Sequence, residues 1–174
     1  TGADNDFTVQ YTCTHNSVAL TDAQKAGSLT LTGNGTAVTS PSLPFGTSCT
    51  IKEADDSAQR AGYAVATAYT AGQVTVGTAT PSPEVTVTNT YTPLKGGFVI
   101  SKTVDGDGAA LAKDKEFTFD YTCTPLTGAA QVKGTVVVKG GENRAVTDVP
   151  VGSCSVSERD AAINGASLNT VFTL

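Results

Sequence analysis

Two short strand-like runs carry a nucleophile and an electrophile on their apolar faces. In "FVISKTV" (98–104), Lys102 falls on the same face as the Phe, Ile and second Val. In "VTVTNTY" (85–91), Asn89 shares a face with the last Val and the Tyr, and the threonines lie opposite. Because successive side chains of a strand point to opposite faces, both polar groups are predicted to face a core.

Two glutamates also fall on the apolar face of a strand-like run. In "CTIKE" (49–53), Glu53 aligns with the Cys and the Ile, and in "CSVSE" (154–158), Glu158 aligns with the Cys and the Val. Each carboxyl group is therefore predicted to point inward as well. An unpaired buried charge is expensive, so a buried lysine, glutamate and asparagine must neutralise one another or react.

The reaction open to this trio is an amide exchange. Burial disfavours the charged forms of amines and carboxylic acids alike, which favours a neutral amine beside a protonated acid. The amine can then attack the asparagine carboxamide while the acid polarises the carbonyl and shuttles protons, so that ammonia leaves. The expected product is a Lys–Asn isopeptide bond. Two alternatives stay open, an unreacted buried salt bridge and a lysine that reaches solvent at a sheet edge.

The elements that would position this trio occur twice. "FTVQYTC" (7–13) returns as "FTFDYTC" (117–123), and the similarity continues through the segment that follows each copy. The period is that of a small domain and too long for a solenoid repeat. We therefore predict two tandem domains, residues 1–93 and 94–174.

The strand pattern predicts an all-β fold. Short alternating runs are separated by Gly, Pro, Asn and Ser, and charged residues make up only 16% of the chain. About seven strands per complete copy predict two tandem immunoglobulin-like antiparallel β-sandwich domains. The first domain is expected to lack its first strand and the second its last, because "FVISKTVDGDG" has no counterpart before Phe7 and "VTVTNTYT" none after Leu174.

Few segments depart from the strand pattern. Residues 22–28, 53–62 and 108–116 have the composition for a helical turn but are predicted to be loops. Asn34-Gly35 stands between two strand-like runs, which predicts a tight hairpin.

The four cysteines fall on apolar strand faces, two in each copy. Matching positions favour one disulfide per domain, Cys13–Cys49 and Cys123–Cys154, out of three formal connectivities. Such bonds imply an oxidising, extracellular setting. Four buried free thiols are the alternative. Zinc is less favoured because no C-x-x-C pair exists and His15 is the single histidine.

Other classes of function find little support. The net charge of −5 and the lack of a basic cluster argue against nucleic acid. No apolar run approaches the ~18 residues of a membrane span, so no membrane insertion is expected. "DGDGAALAKDKE" (105–116) lacks the fifth ligand and the turn glycine of a calcium loop. A Ser-His-Asp triad would need His15, and no motif in the sequence indicates a serine or an aspartate that would act with it. We expect no cofactor, no metal and no turnover enzyme.

Three segments resemble a known family. "CTIKEADDSAQRAGY" (49–63), "VTVTNTYTP" (85–93) and "FVISKTVDG" (98–106) resemble the Glu-, Asn- and Lys-bearing segments of the B-type repeats of Gram-positive collagen adhesins and pilins. The paired cysteines resemble the form in actinobacterial surface proteins. The resemblance covers both copies almost end to end. It implies a sandwich whose first and last strands become joined by an autocatalytic Lys–Asn bond, with a glutamate as catalyst.

Carried over residue by residue, the resemblance makes Lys102 the donor of the second domain and Glu158 its catalyst. Glu53 and Asn89 become the catalyst and the acceptor of the first domain. No lysine precedes Phe7 and no "NTY" follows the second copy, so neither bond is expected to close within its own domain of this chain. The flanking strands belong to a parent protein, or a neighbouring chain supplies them. We favour the first, since strand donation between chains is a special arrangement.

The resemblance and the tandem copies together predict structural stalk repeats of a bacterial cell-surface or fimbrial adhesin, secreted or anchored to the cell wall. Expected partners are neighbouring repeats and adjacent subunits of a filament, with any host or matrix ligand bound elsewhere in the parent protein. The alternative is a carbohydrate- or matrix-binding sandwich. That alternative should show clustered aromatic residues, whereas the five Tyr and six Phe lie mostly at apolar strand positions.

Overall fold

The computed structural model describes residues 6–33, 35–78, 83–112, 114–159 and 161–162. These residues form antiparallel sheets in sandwich-like arrangements, which confirms the predicted all-β, immunoglobulin-like fold class. The chain divides into two compact units. Unit 1 comprises Thr1–Arg60 and Ala64–Thr92, and unit 2 comprises Ala61–Tyr63 and Pro93–Leu174.

The described residues of unit 1 form a four-stranded sheet and a two-stranded sheet. The larger sheet has the order β2-β1-β3-β5, and the smaller pairs β4 with β6. The strands are β1 (Asp6–Thr14), β2 (Ala26–Thr32), β3 (Ser48–Glu53), β4 (Tyr63–Tyr69), β5 (Gln73–Thr75) and β6 (Val87–Pro93).

The alternation in β1 buries one row of its side chains. Val9, Tyr11 and Cys13 are buried, while the residues between them are exposed. Tyr11 and Cys13 of this row pack with Leu20 and Cys49 to form the core cluster of unit 1. The pattern is that of an antiparallel sheet with one face covered.

Unit 2 also has two sheets among its described residues. A three-stranded sheet has the order β11-β8-β9, and a two-stranded sheet pairs β10 with β7. The strands are β7 (Lys95–Ser101), β8 (Glu116–Pro125), β9 (Val132–Lys139), β10 (Asn143–Pro150) and β11 (Gly152–Glu158). β10 carries a bulge at Asp148, whose φ of +64° lies in the left-handed region. Both sheets contribute to the core, which includes Ile100, Phe117 and Val146.

The cysteine-bearing sheets of the two units have the same register. Val9 lies opposite Glu53 in the β1–β3 pair, and Phe119 lies opposite Glu158 in the β8–β11 pair. The strands therefore correspond as β1 to β8, β2 to β9 and β3 to β11. The second sheets differ, because unit 1 has β4 and β6 where the described part of unit 2 has β7 and β10.

Two loop predictions are wrong. Asp22–Lys25 forms a one-turn helix, α1, and Ala109–Ala112 forms a 3₁₀ turn. Thr21 precedes α1, and its backbone N–H donates to the Gln24 side chain at 3.0 Å. This capping interaction supplies a hydrogen-bond partner that the first turn of a helix otherwise lacks.

The hairpin predicted at Asn34-Gly35 is also not formed as expected. Asn34 lies outside the described residues, and Gly35 has the positive φ, +83°, that such a turn requires. However, residues 35–47 contain no strand, although the corresponding segment of unit 2 is β10. In unit 2 the partner of β10 is β7, and the described part of unit 1 contains no counterpart of β7.

Candidate functional site

Unit 2 brings together two of the predicted site residues. Lys102 follows the end of β7, and Glu158 ends β11. The Lys102 Nζ atom lies 3.0 Å from Glu158 Oε1 and 3.1 Å from Oε2. The side chains are 12% and 2% exposed, so this is a buried ion pair.

The surroundings of this pair are nearly dry. Nζ lies 4.4 Å from the centroid of the Phe117 ring, and Phe117 is 1% exposed. The ring face attracts the ammonium group and excludes water from it. The ammonium lies within hydrogen-bonding distance of both oxygens of the Glu158 carboxylate.

Strand alternation explains why these two side chains meet. Ile100 is buried and Phe98 is half-buried, while Val99 and Ser101 between them are exposed. Lys102 continues the inward row one step beyond the strand. Because the register of β11 on β8 is fixed, Glu158 points into the same core.

Unit 1 places the other two predicted residues in contact. Glu53 is 4% exposed, and Asn89 Nδ2 donates to its Oε1 at 2.9 Å. Thr67 Oγ1 lies 2.7 Å from Asn89 Oδ1 and 3.4 Å from Glu53 Oε2, so its single proton favours the amide oxygen. The backbone N–H of Glu53 donates to the Tyr69 hydroxyl at 2.8 Å.

Thr67 and Tyr69 were not predicted as parts of the site. Both lie in β4, "YAVATAY", where they alternate with alanines. Applied to β4, the alternation that revealed Asn89 would have marked Thr67 as a polar residue in the row that contains Val65. Its hydroxyl donates to the Asn89 carbonyl oxygen and so holds the amide in this orientation.

Each unit therefore holds one half of the trio around an equivalent carboxylate. In unit 1, no described lysine forms an ion pair with Glu53, and the groups hydrogen-bonded to this residue's side chain come from Thr67 and Asn89. In unit 2, the side-chain partner of Lys102 is Glu158, and no described asparagine is hydrogen-bonded to the Lys102 ammonium. Since Glu53 and Glu158 have the same register, a unit with both halves would bring amine and amide to one carboxylate.

Both predicted disulfides are confirmed. Cys13 is bonded to Cys49 and Cys123 to Cys154, each pair lying directly opposite across two antiparallel strands. This excludes the alternative of free thiols. The two bonds indicate an oxidising compartment.

His15 has a structural environment. Its Nδ1 accepts hydrogen bonds from the backbone N–H groups of Ser17 and Val18 at 3.0 and 2.9 Å. Its Nε2 lies 2.8 Å from the carbonyl oxygen of Phe45 and, in the tautomer that these contacts select, donates to it. Both ring nitrogens are thus bonded to backbone, which leaves neither available as a general base.

Among the described residues, no group of three or more His, Cys, Asp or Glu is arranged to hold a metal ion. No helix in the described part of the chain is long and apolar enough to cross a membrane. An open depression of about 330 Å³ lies over Glu53, and its described lining includes Lys52, Asp55 and, as its one aromatic residue, Tyr69. It offers no cluster of aromatic side chains on which a sugar ring would stack.

Comparison with known proteins matches the chain to one family. Residues 1–92 and 98–173 each match the profile of DUF5979, described as a domain of unknown function. No curated protein and no solved structure gives a significant match.

Proposed function

We propose that this chain, which belongs to the DUF5979 family of domains of unknown function, supplies structural stalk repeats of a bacterial cell-surface or fimbrial adhesin. The parent protein is secreted or anchored to the cell wall. Each repeat is held by one disulfide and by a Lys–Asn isopeptide bond once its first and last strands are both present. The partners are neighbouring repeats of the same polypeptide and adjacent subunits of a filament.

The observation that carries this proposal is the pair of equivalent carboxylates. Glu158 contacts an amine at 3.0 Å, and Glu53 accepts a hydrogen bond from a carboxamide at 2.9 Å. A carboxyl group that serves both reactants is what amide exchange needs, since it must take a proton from one nitrogen and deliver a proton to the other.

The proposed reaction balances without any added reagent. The carboxylate first takes a proton from the lysine ammonium, which leaves a neutral amine and a carboxylic acid. The amine nitrogen bonds to the asparagine Cγ, and the acid, with the Thr67 hydroxyl in unit 1, stabilises the developing negative charge on the carbonyl oxygen. The Cγ–Nδ2 bond then breaks, and the departing group takes up protons through the glutamate and leaves as ammonia.

The chemistry suits a mechanical part better than a turnover enzyme. The reaction consumes its own lysine and asparagine, so each unit reacts once. A domain of this size buries only about 60–65% of the surface that its unfolded chain exposes, and covalent cross-links offset that small core. An isopeptide bond between the first and last strands would prevent a pulling force from extending the chain between them. It would also keep the strands together when a protease attacks.

The test uses a chain that contains both halves in each unit. A copy of residues 94–110 is fused before Thr1 and a copy of residues 70–93 after Leu174, which preserves the strand spacing within each unit. Intact mass spectrometry is expected to show the loss of one ammonia per unit. Fragment spectra should join the copied lysine to Asn89, and Lys102 to the copied asparagine.

Variants of the extended chain assign the roles. Glu53→Gln should abolish the loss of ammonia in unit 1 alone, and Glu158→Gln in unit 2 alone. Thr67→Val should slow the reaction of unit 1 by about tenfold, since one hydrogen bond to the carbonyl is lost. Lys95→Arg, at an exposed lysine of the strand that precedes the donor, is the matched control and should react fully.

Retention of ammonia in a folded extended chain would contradict the isopeptide chemistry and leave the lysine and glutamate as a structural ion pair. Saturable binding of the chain to glycan or matrix arrays would then favour a binding module.

A further inference from the structure

The "DGDG" run at positions 105–108 fails as a calcium loop but contains two consecutive Asp-Gly pairs. Asp-Gly is the dipeptide in which the main-chain nitrogen is least obstructed, because the glycine has no Cβ. In such a pair the glycine nitrogen can attack the side-chain carboxyl carbon of the aspartate and close a cyclic imide. The sequence alone gives both pairs the same reactivity, so a difference between them has to come from the fold.

The first pair holds its reacting groups together. The backbone N–H of Gly106 donates to Asp105 Oδ1 at 2.7 Å. Since Cγ is one bond from Oδ1, the nitrogen already lies beside the carbon that it would attack. Both residues are exposed, and a Cβ built on Gly106, whose φ is +87°, would meet no described atom within 4 Å. Contact between the reacting groups before the reaction lowers the entropic part of the barrier.

The second pair is held differently. In the described part of unit 2, no hydrogen bond joins the Gly108 nitrogen to the Asp107 carboxylate, and Gly108 is half-buried. The Gly108 carbonyl oxygen accepts from Leu111 N at 3.0 Å within the 3₁₀ turn, which ends at the fully buried Ala112. The backbone of this pair is therefore committed to the turn, which opposes the rotation that would close the imide.

From this contrast we infer that Asp105-Gly106 is a site of spontaneous modification, at which Asp105 isomerises to isoaspartate. The Gly106 nitrogen bonds to Asp105 Cγ, and the nitrogen's proton leaves with the hydroxyl of the protonated carboxyl group as water. Water then adds to the main-chain carbonyl carbon of Asp105, and the bond from that carbon to the Gly106 nitrogen breaks. The chain now runs through Cβ and Cγ, and its mass is unchanged.

The product lengthens the main chain by one methylene group between two backbone anchors. Upstream, Lys102 donates to Glu142 O and accepts from Gly141 N, at 2.9 and 2.7 Å. Downstream, Ala109 N donates to Gly106 O at 3.0 Å and begins the 3₁₀ turn. Because the added group lies next to Gly106, the turn should loosen while the anchors of Lys102 persist. The modification is therefore expected to alter one loop of a folded unit.

The experiment ages the full chain, with its disulfides intact, at physiological temperature and mildly acidic pH. Peptide mapping with electron-transfer fragmentation locates isoaspartate at Asp105 and Asp107 separately, and intact mass spectrometry detects the imide as a loss of water. A synthetic peptide with the sequence of residues 103–110 reports the reactivity without the fold. Asp105→Glu disfavours closure at the first pair by enlarging the ring, and Asp107→Glu is the matched control at the second.

In the folded chain, isoaspartate is expected to form about tenfold faster at Asp105 than at Asp107. In the peptide the two rates should be similar, because neither pair is held. Asp105→Glu should remove the signal at position 105, and Asp107→Glu should leave the rate at Asp105 unchanged. Hydrogen exchange of the aged chain should accelerate at the Ala109 amide and stay unchanged at the Lys102 amide.

Two outcomes would overturn the inference. Equal rates at the two pairs in the folded chain would show that the hydrogen bond to Asp105 confers no advantage. A folded chain that forms no isoaspartate at Asp105 while the peptide does so would show that the same hydrogen bond protects the pair. Neither outcome depends on whether the extended chain loses ammonia, so this inference and the proposed function are tested separately.

Discussion

The two units share a cysteine-bearing sheet but differ in how that sheet is covered. Among the described residues, the core cluster of unit 2 contains eight buried residues, which come from both of its sheets and the 3₁₀ turn and include Ile100 of β7 and Val146 of β10. The described cluster in unit 1 contains four buried residues, and none of its described members comes from β4 or β6. The lysine-bearing strand is therefore part of the core as well as the carrier of the amine, because its apolar residues link the two sheets.

The two glutamates differ in the charge of their partners. Glu158 faces an ammonium group, whereas Glu53 faces an amide and a hydroxyl. Losing the carboxylate would leave a buried charge unpaired in unit 2 and only neutral groups unpaired in unit 1. The same residue at the same register thus makes contributions of different size to the stability of the two units.

Removal of each disulfide is expected to have the largest effect. The bonds close loops of similar length, with sequence separations of 36 and 31, so the chain-entropy cost of losing either is about 4 kcal/mol. Because unit 1 has the smaller core, Cys13→Ala with Cys49→Ala should unfold unit 1. The corresponding pair of changes in unit 2 should weaken that unit without unfolding it. Hydrogen exchange with mass spectrometry reports on the peptides of each unit separately, and equal loss of protection in both would contradict the comparison.

Neutralising the two glutamates should have the next largest effect, and the loss of stability should differ between the units. Glu158→Gln leaves the Lys102 ammonium buried beside an uncharged group and should cost unit 2 about 3 kcal/mol. Glu53→Gln should cost unit 1 about 1 kcal/mol, since only hydrogen bonds to neutral groups change. Urea denaturation followed by hydrogen exchange gives both values. Lys95→Ala, which breaks an exposed ion pair, is the control and should change stability by less than about 0.5 kcal/mol.

His15 provides a smaller test within unit 1. His15→Ala removes hydrogen bonds to Ser17 N, Val18 N and Phe45 O and should cost about 1 kcal/mol. Exchange of the Ser17 and Val18 amides should accelerate more than exchange elsewhere. The corresponding position of unit 2 is Pro125, so that unit should be unaffected. If the variant abolished a catalytic activity without altering local exchange, the structural role would be wrong.

The smallest expected effect is electrostatic and confined to unit 2. Hydrogen bonds from the Arg159 guanidinium and the Thr135 hydroxyl hold the pKa of Asp120 below its usual value. Because the folded-state pKa lies below the unfolded one, the carboxylate stabilises unit 2 at pH above about 4, and this contribution disappears as the pH falls through the folded-state pKa. The melting temperatures of the wild type and Asp120→Asn should therefore differ at pH 7 and converge in acid. A difference that does not change with pH would contradict this assignment.

Short-range patterns were sufficient for several features of this chain. The period-two alternation predicted the all-β class, and the matching cysteine positions predicted both disulfides. The same alternation placed Lys102, Glu53, Asn89 and Glu158 on inward rows, since a strand offers each side chain only two directions. The one-turn helix at Asp22–Lys25 escaped prediction because so short a helix depends on local capping rather than on a periodic pattern.

What the sequence by itself determined is therefore which residues alternate inward and which cysteines correspond. Tertiary structure alone decided which strands pair and which side chains contact one another. Thr67 reaches Asn89 because β4 pairs with β6, and residues 35–47 form no strand in unit 1 although their counterpart in unit 2 does so against β7. A strand is stabilised by hydrogen bonds to a neighbour that is distant in the sequence, so its formation depends on which other strands are present to pair with it.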